Sequence, residues 1–256
     1  MNHFLTFASK EWTEHLRTKL ALIAAVIFVL LAIANPAVAL LTPVILKENA
    51  EALASSGITV SEIEITAMDL WLQFINNTST ALAAFLIIFS GTFTKEYQNG
   101  TLMPLLTKGL RRTTIVHAKS AVLVLLWSVG FWCYFGITYG YTTYYWDQFV
   151  IHSVFFVGGC WWLLGIFWIC LLAFFSSFLK NAVQVIAAAA GVYMILSTIR
   201  MLKTIQPYLP MHLEDSHMLL TGESGCASYL PAIIVTIAAL ILFYLCSLIL
   251  TKNKQL

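Results

Sequence analysis

Six stretches of the chain are apolar over about the length a helix needs to cross a bilayer. They run from Leu20 to Leu41, Leu70 to Phe93, Ser120 to Tyr141, Val150 to Phe175, Ala182 to Ile199 and Ala232 to Leu250. A helix rises about 1.5 Å per residue, so some 20 apolar residues cover roughly 30 Å of hydrocarbon. The pattern therefore predicts six transmembrane helices. The first run starts too late and is too long for a secretion signal, and no small-residue cleavage site follows it, so it is read as a retained span. Ahead of it, Phe4, Leu5, Ala8, Trp12 and Leu16 fall within about 120° of a helical wheel, opposite Lys10, Thr13 and Arg17. Residues 1–19 are thus an amphipathic helix, suited to the headgroup plane or to packing against the chain's own spans.

Between spans, two segments are long enough to fold. Residues 43–69 hold a helix-like stretch ending at Gly57, then Thr59-Val-Ser-Glu62, which reads as a capping box. Residues 200–229 carry Pro207, Pro210, Gly222 and Gly225, a composition suited to short helices and turns at the outer surface.

Composition agrees with the pattern. Of 256 residues, 60% are apolar and 10% charged, and the mean hydropathy is +0.84. So few charges cannot solvate a globular surface, which excludes a soluble enzyme, a nucleic-acid reader and a disordered regulator. The expected fold is an all-α polytopic membrane protein, one transmembrane domain over residues 1–256.

Charge adds an orientation. An even number of spans puts both termini on one side. The N-terminus, the loops after spans two and four, and the C-terminus hold eleven Lys and Arg against Glu11, Glu14 and Glu96, a net +8. The other set holds Lys47, Arg200 and Lys203 against nine acids, a net −6. Lys and Arg beside span ends are retained in the cytoplasm, so both termini are expected there, in a multi-pass plasma-membrane protein.

Candidate chemistry is sparse. There is no Walker A pattern, no HExxH and no GxSxG, and Asp, Glu, Lys and Arg are nearly absent from the spans. Ionisable groups inside a bilayer mark proton and ion pathways, and their scarcity argues against a proton-coupled carrier. Cys133, Cys160, Cys170 and Cys246 lie in spans and Cys226 in a loop, with no disulfide framework or metal-ligand spacing. No catalytic, cofactor-binding or metal-binding residues are expected, and energy for any work must come from elsewhere. Asn35-Pro36 is expected to kink span one. Asn76, Asn77 and Thr80 share a helix face, either as interhelical hydrogen-bonding groups or as a substrate path. Aromatic residues crowd from Phe131 to Trp146, as an interfacial belt or an aromatic pore lining.

The loop over residues 94–119 says most. Gly100 permits a turn, Thr101 can cap a helix and Pro104 sits in its first turn. Leu102, Leu105 and Leu106 share one face, and Gly109 can end the helix. A short apolar helix on a basic loop has no core of its own to enter, so its leucines need a membrane surface or a groove on another protein.

Glu96, Gly100, Thr101, Leu105, Leu106, Arg112 and Lys119 match, in type and spacing, the loop of permease subunits of type-2 ABC transporters, which this chain resembles. Gly109 stands where that family usually has proline, and Arg111 where it usually has serine. The resemblance implies a type-2 ABC exporter-like fold, in which a second copy of the chain or a related permease joins it. It also implies two separate cytoplasmic ATPase subunits that bind ATP and Mg, so that hydrolysis is not in this chain. The loop helix would be the coupling helix, with Glu96, Gly100, Thr101, Leu102, Leu105, Leu106 and Arg112 as its coupling residues, and spans one, two and five would line the path. The implied cargo is an amphiphile: an antimicrobial peptide or antibiotic, a lipid or a glycan, with antimicrobial peptide resistance the favoured role in a bacterium. The alternatives are a non-transporting anchor that recruits a cytoplasmic protein, or an ATP-independent carrier.

Overall fold

The computed structural model describes residues 3–49, 66–98, 100, 111–146, 151 and 153–253. The described residues form eight α-helices and no strand: α1 His3–Arg17, α2 Leu20–Glu48, α3 Ala67–Phe89, α4 Lys95–Gln98, α5 Arg112–Tyr145, α6 Val154–Ser176, α7 Ala182–Ile199 and α8 Leu230–Asn253. Helices α2, α3, α5, α6, α7 and α8 are long and apolar enough to cross a membrane, and they are the six predicted spans. Thr251 near the end of α8 lines a small cavity with Glu96, Arg112 and Lys119. Both ends of the chain therefore share one face, here the proximal face; the opposite face is distal.

Span one runs unbroken through Pro36 to Glu48. The amide of Asn35 is fully buried and donates to the Tyr134 hydroxyl at 3.1 Å and to Thr138 Oγ1 at 3.4 Å, while its oxygen accepts from Asn77 at 2.6 Å. The Tyr134 hydroxyl in turn donates to the carbonyl of Phe74 at 3.1 Å. A buried amide left unpaired costs about 1–3 kcal/mol, so this chain of partners fixes how α2, α3 and α5 face one another. Around it Trp71, Phe74, Phe85, Phe89, Trp127 and Phe131 are buried, and the Phe74 and Tyr134 rings stack at 4.5 Å. The aromatic run of α5 thus divides. Phe131, Tyr134 and Phe135 enter the core, whereas Tyr141, Tyr144 and Tyr145 stay exposed towards the distal end.

Helix α6 is the most enclosed span. It meets α5 closely because Gly165 has no side chain: a Cβ there would lie 2.1 Å from Cε2 of the buried Trp127. The Trp127 indole donates to the Trp162 carbonyl at 3.1 Å, and the Trp162 indole donates to Ser128 at 2.9 Å. Helices α7 and α8 lie outside this core, with Val183, Met194, Ile195, Ile234, Leu242 and Ile249 exposed as a lipid-facing surface requires.

Start signals differ in part from the expected ones. Thr66 caps α3 through the Asp69 carboxylate, which accepts from the Thr66 N–H at 2.9 Å and its hydroxyl at 2.7 Å. The box expected at Thr59 to Glu62 lies outside the described residues. Between α7 and α8 the chain forms three 3₁₀ segments, Gln206–Tyr208, Pro210–Leu219 and Cys226–Tyr229. The middle one is not merely a surface turn. It packs against α6, α8 and α3, burying Met211, Leu213, Ser216 and Leu219.

Candidate functional site: a buried charge cluster at the proximal face

Helix α1 carries Phe7, Glu11 and His15 at successive i, i+4 positions, and all three are buried against α5 and its neighbours. The apolar stripe stays outward, with Leu5 60% and Leu16 51% exposed, as a helix lying in the headgroup plane requires. The helix therefore docks through a strip containing a carboxylate, and what receives it is charged.

Lys119, two turns into α5, is only 4% exposed, Glu11 1% and Glu96 7%. Lys119 Nζ lies 2.8 Å from Glu11 Oε2 and 3.6 Å from Glu96 Oε1. Lys10 Nζ lies 3.0 Å from Glu11 Oε1, from Glu14 Oε2 and from Glu96 Oε1, and Lys95 reaches Glu14 Oε1 at 3.4 Å. Three cations face three carboxylates, so the cluster is neutral, the condition under which charges can be withdrawn from water. The Phe7 ring covers two of the cations, with Lys10 Nζ 5.0 Å and Lys119 Nζ 5.9 Å from its centroid.

The ionisation follows from these contacts. Burial works against the Lys10 charge, but Glu11, Glu14 and Glu96 outweigh it and raise its pKa. Burial likewise opposes ionisation of Glu14, and Lys10 and Lys95 reverse this and hold its carboxyl below the usual range. His15 is pushed down, chiefly by burial. Its two ring nitrogens have no hydrogen-bond partner, and the ring stands edge-on to Phe89 at 5.2 Å, so it sits as a neutral group between an aromatic wall and a cavity of roughly 80 Å³.

The cluster holds both ends of the loop after span two. Glu96 is on α4, and Gly100 just beyond adopts φ +66°, the left-handed turn that glycine permits. The chain returns at Arg111 and Arg112, and α5 starts there, so Arg112 to Lys119 is already helix continuous with span three. Arg112 is half-buried and lines a small cavity with Glu96 and Lys119. Gln98 donates to the Lys180 carbonyl at 3.1 Å, tying α4 to the turn between α6 and α7. Thr101, Leu102, Leu105 and Leu106 lie outside the described residues.

The model of the ABC-2 family transporter protein matches residues 5–211, from α1 through the first five of the six spans and into the distal segment. The chain belongs to the ABC-2 family of transporter proteins. It is an ABC-2 type permease, the membrane component of a transporter and not itself catalytic. Comparison with curated proteins gave no match.

The permease places its three polar path candidates differently. Asn77 is engaged by Asn35 within the core network, Asn76 is exposed, and Thr80 is exposed on a groove of roughly 500 Å³ between α3, α6 and α7. Of the cluster, the motif identified Glu96 and Lys119, and beside it Arg112, which lines the small cavity with them. Lys10, Glu11, Glu14 and His15 were missed as site residues, although the i, i+4, i+8 spacing of Phe7, Glu11 and His15 is a signal that could have found the buried strip. Among the described residues no group of three His, Cys, Asp or Glu side chains is placed to hold a metal ion.

Proposed function

We propose that this permease moves an amphiphilic substrate, exporting it or extracting it from the membrane, with energy from two separate cytoplasmic ATPase subunits that bind ATP and Mg. The positive-inside charge asymmetry supports assigning the proximal face to the cytoplasm. A second copy or a related permease completes the membrane unit, and antimicrobial peptide resistance is the role we assign to it.

The observation that carries the reading is the burial of Glu96 between Lys10 and Lys119. A loop that only recruited a partner would need no rigid attachment. Here the two ends of the loop are joined to α1, α3 and α5, so a push on its apolar residues is passed to span two and span three together. Transmission of this kind needs a stiff contact, and the buried Glu11, Lys119 and Glu96 at the centre of the cluster supply one.

Leu102, Leu105 and Leu106 are the anchors that would enter a groove on the ATPase. Truncating such an anchor commonly costs about 2 kcal/mol or more, about 30-fold in affinity. Leu105→Ala combined with Leu106→Ala should therefore release the ATPase on copurification, or leave its hydrolysis indifferent to the permease, with the folded permease unchanged in amount. Arg112→Ala should weaken coupling in a salt-sensitive way, and Arg111→Ala less so. Normal copurification and normal permease-stimulated hydrolysis in the double leucine variant would remove the coupling assignment.

A further inference from the structure

The groove between α3, α6 and α7 has an apolar wall of Leu82, Leu86, Ile87, Trp168 and Tyr193, and a single ionisable carboxyl group among its described lining residues, Glu214. Ile87 and Tyr193 at its border are exposed, so it opens sideways towards lipid. Glu214 belongs to the Pro210–Leu219 segment, which packs down against α6 and α3 from the distal side. The inward folding of that segment is what brings a carboxylate to a wall whose other described lining residues carry no charge.

Glu214 is only partly neutralised. Arg200, at the end of α7, places Nη1 3.0 Å from Glu214 Oε2 and 3.6 Å from Asp215 Oδ1, so one guanidinium serves two carboxylates. Asp215 is turned away from the groove, accepting from Gln206 at 3.2 Å and lying 3.5 Å from His212. Other packed elements bring no compensating cation. Helix α6 has no charged residue, α3 has only Asp69, and the one cation of α8 within the described span is Lys252 at its proximal end. The distal segments as a whole are acidic, which raises the local concentration of cations at this face.

We infer that the groove takes an amphiphile bearing a cationic group, whose apolar part lies along α3 and α7 and whose charge is received by the Glu214 carboxylate. This deepens the transport reading, on which it rests only for the claim that the bound molecule is cargo. Burial, opposed by Arg200 and reinforced by Asp215, raises the Glu214 carboxyl to about 7. The group is then ionised and receptive above that value and largely protonated well below it.

The test uses the full-length permease in lipid nanodiscs without any ATPase, so its result is independent of the coupling experiment. Two photoreactive probes share one dodecyl chain, one ending in trimethylammonium, whose charge does not titrate, and one in a hydroxyl. Cross-links to α3 and α7 are mapped by mass spectrometry. At about pH 8 the ammonium probe should label the groove about tenfold more than the alcohol, and the ratio should fall towards parity at about pH 5.5. Glu214→Gln keeps an acceptor for Arg200 and should abolish both the preference and its pH dependence, while Glu214→Asp should retain part of each. Equal labelling by the two probes in the native protein, or an unchanged preference in Glu214→Gln, overturns the inference. So does absence of labelling by both probes with cross-links between copies at Thr80 and Tyr193, which would make a second copy the occupant.

Discussion

At the scale of single residues, the position with the largest energetic consequence is Lys119. It is a buried ammonium between two buried carboxylates, Glu11 at 2.8 Å and Glu96 at 3.6 Å. Removing one partner of a buried pair commonly costs about 3–5 kcal/mol because a charge is left uncompensated, whereas removing both can be nearly neutral. Lys119→Met should therefore lower the thermal unfolding midpoint of the purified permease strongly, and Lys119→Met with Glu11→Gln should recover part of the loss. A single variant as stable as the native protein would show the cluster to be solvated after all. Sequence reasoning reached this residue only through a motif. The burial of Lys119 depends on residues 11 and 96 arriving from elsewhere in the chain, and no local pattern around Lys119 announces them. Asn35 and Asn77 behave alike, each an isolated polar group in an apolar run until the two helices meet.

Elements were legible to the extent that the solvent dictates them. A bilayer fixes both the length and the composition of a span, and the six apolar runs correspond to α2, α3, α5, α6, α7 and α8. The periodicity of α1 predicted a helix with an apolar stripe, and Phe4, Leu5 and Leu16 are exposed along it; the docking strip of Phe7, Glu11 and His15 was not announced, because apolar area says nothing about a strip whose attraction is electrostatic. The composition of the distal segment predicts short helices and turns, and short 3₁₀ helices form, but their inward packing is not legible, since 3₁₀ segments with Pro207 and Pro210 at their starts lack a 3.6-residue stripe that would mark the inward side. The docking of α1 leads to a pH prediction. His15 is held neutral by burial, with its folded pKa below the ordinary value of about 6.5. In the released helix it titrates normally, so docking is favoured above about pH 6.5 and is lost as pH falls through the lowered folded value. Glu14, itself pushed down, stays ionised over that range. Hydrogen exchange of α1 amides should accelerate between about pH 7 and pH 5.5 after correction for the intrinsic rate, and His15→Phe should remove that acceleration. Equal pH dependence in the variant would place the responsible group elsewhere.

For the whole molecule, the arrangement joins two differently charged faces through a core with almost no charge. The buried cluster and the ends of the loop lie proximally, and the acidic segment with Glu214 lies distally, so sidedness determines which face meets the cytoplasm and which meets the exterior. Cys226 tests it. It opens the last 3₁₀ segment before α8, is half-exposed, and its thiol lies 3.4 Å from Ser153 Oγ at the distal start of α6. The remaining cysteines are poor targets for a polar reagent: Cys160 and Cys170 are buried in α6, Cys133 is exposed only within span three, and Cys246 lies within span six. A membrane-impermeant maleimide applied to intact cells should thus label the permease at Cys226, and Cys226→Ser should remove nearly all of that labelling. The positive-inside bias predicts this outcome independently of family membership, because eleven cations against three acids at one face outweigh any contribution of the other. Labelling of Cys226 in inverted vesicles alone would put Glu96, Lys119 and the loop they hold outside the cell, where no ATP-driven partner could act on them.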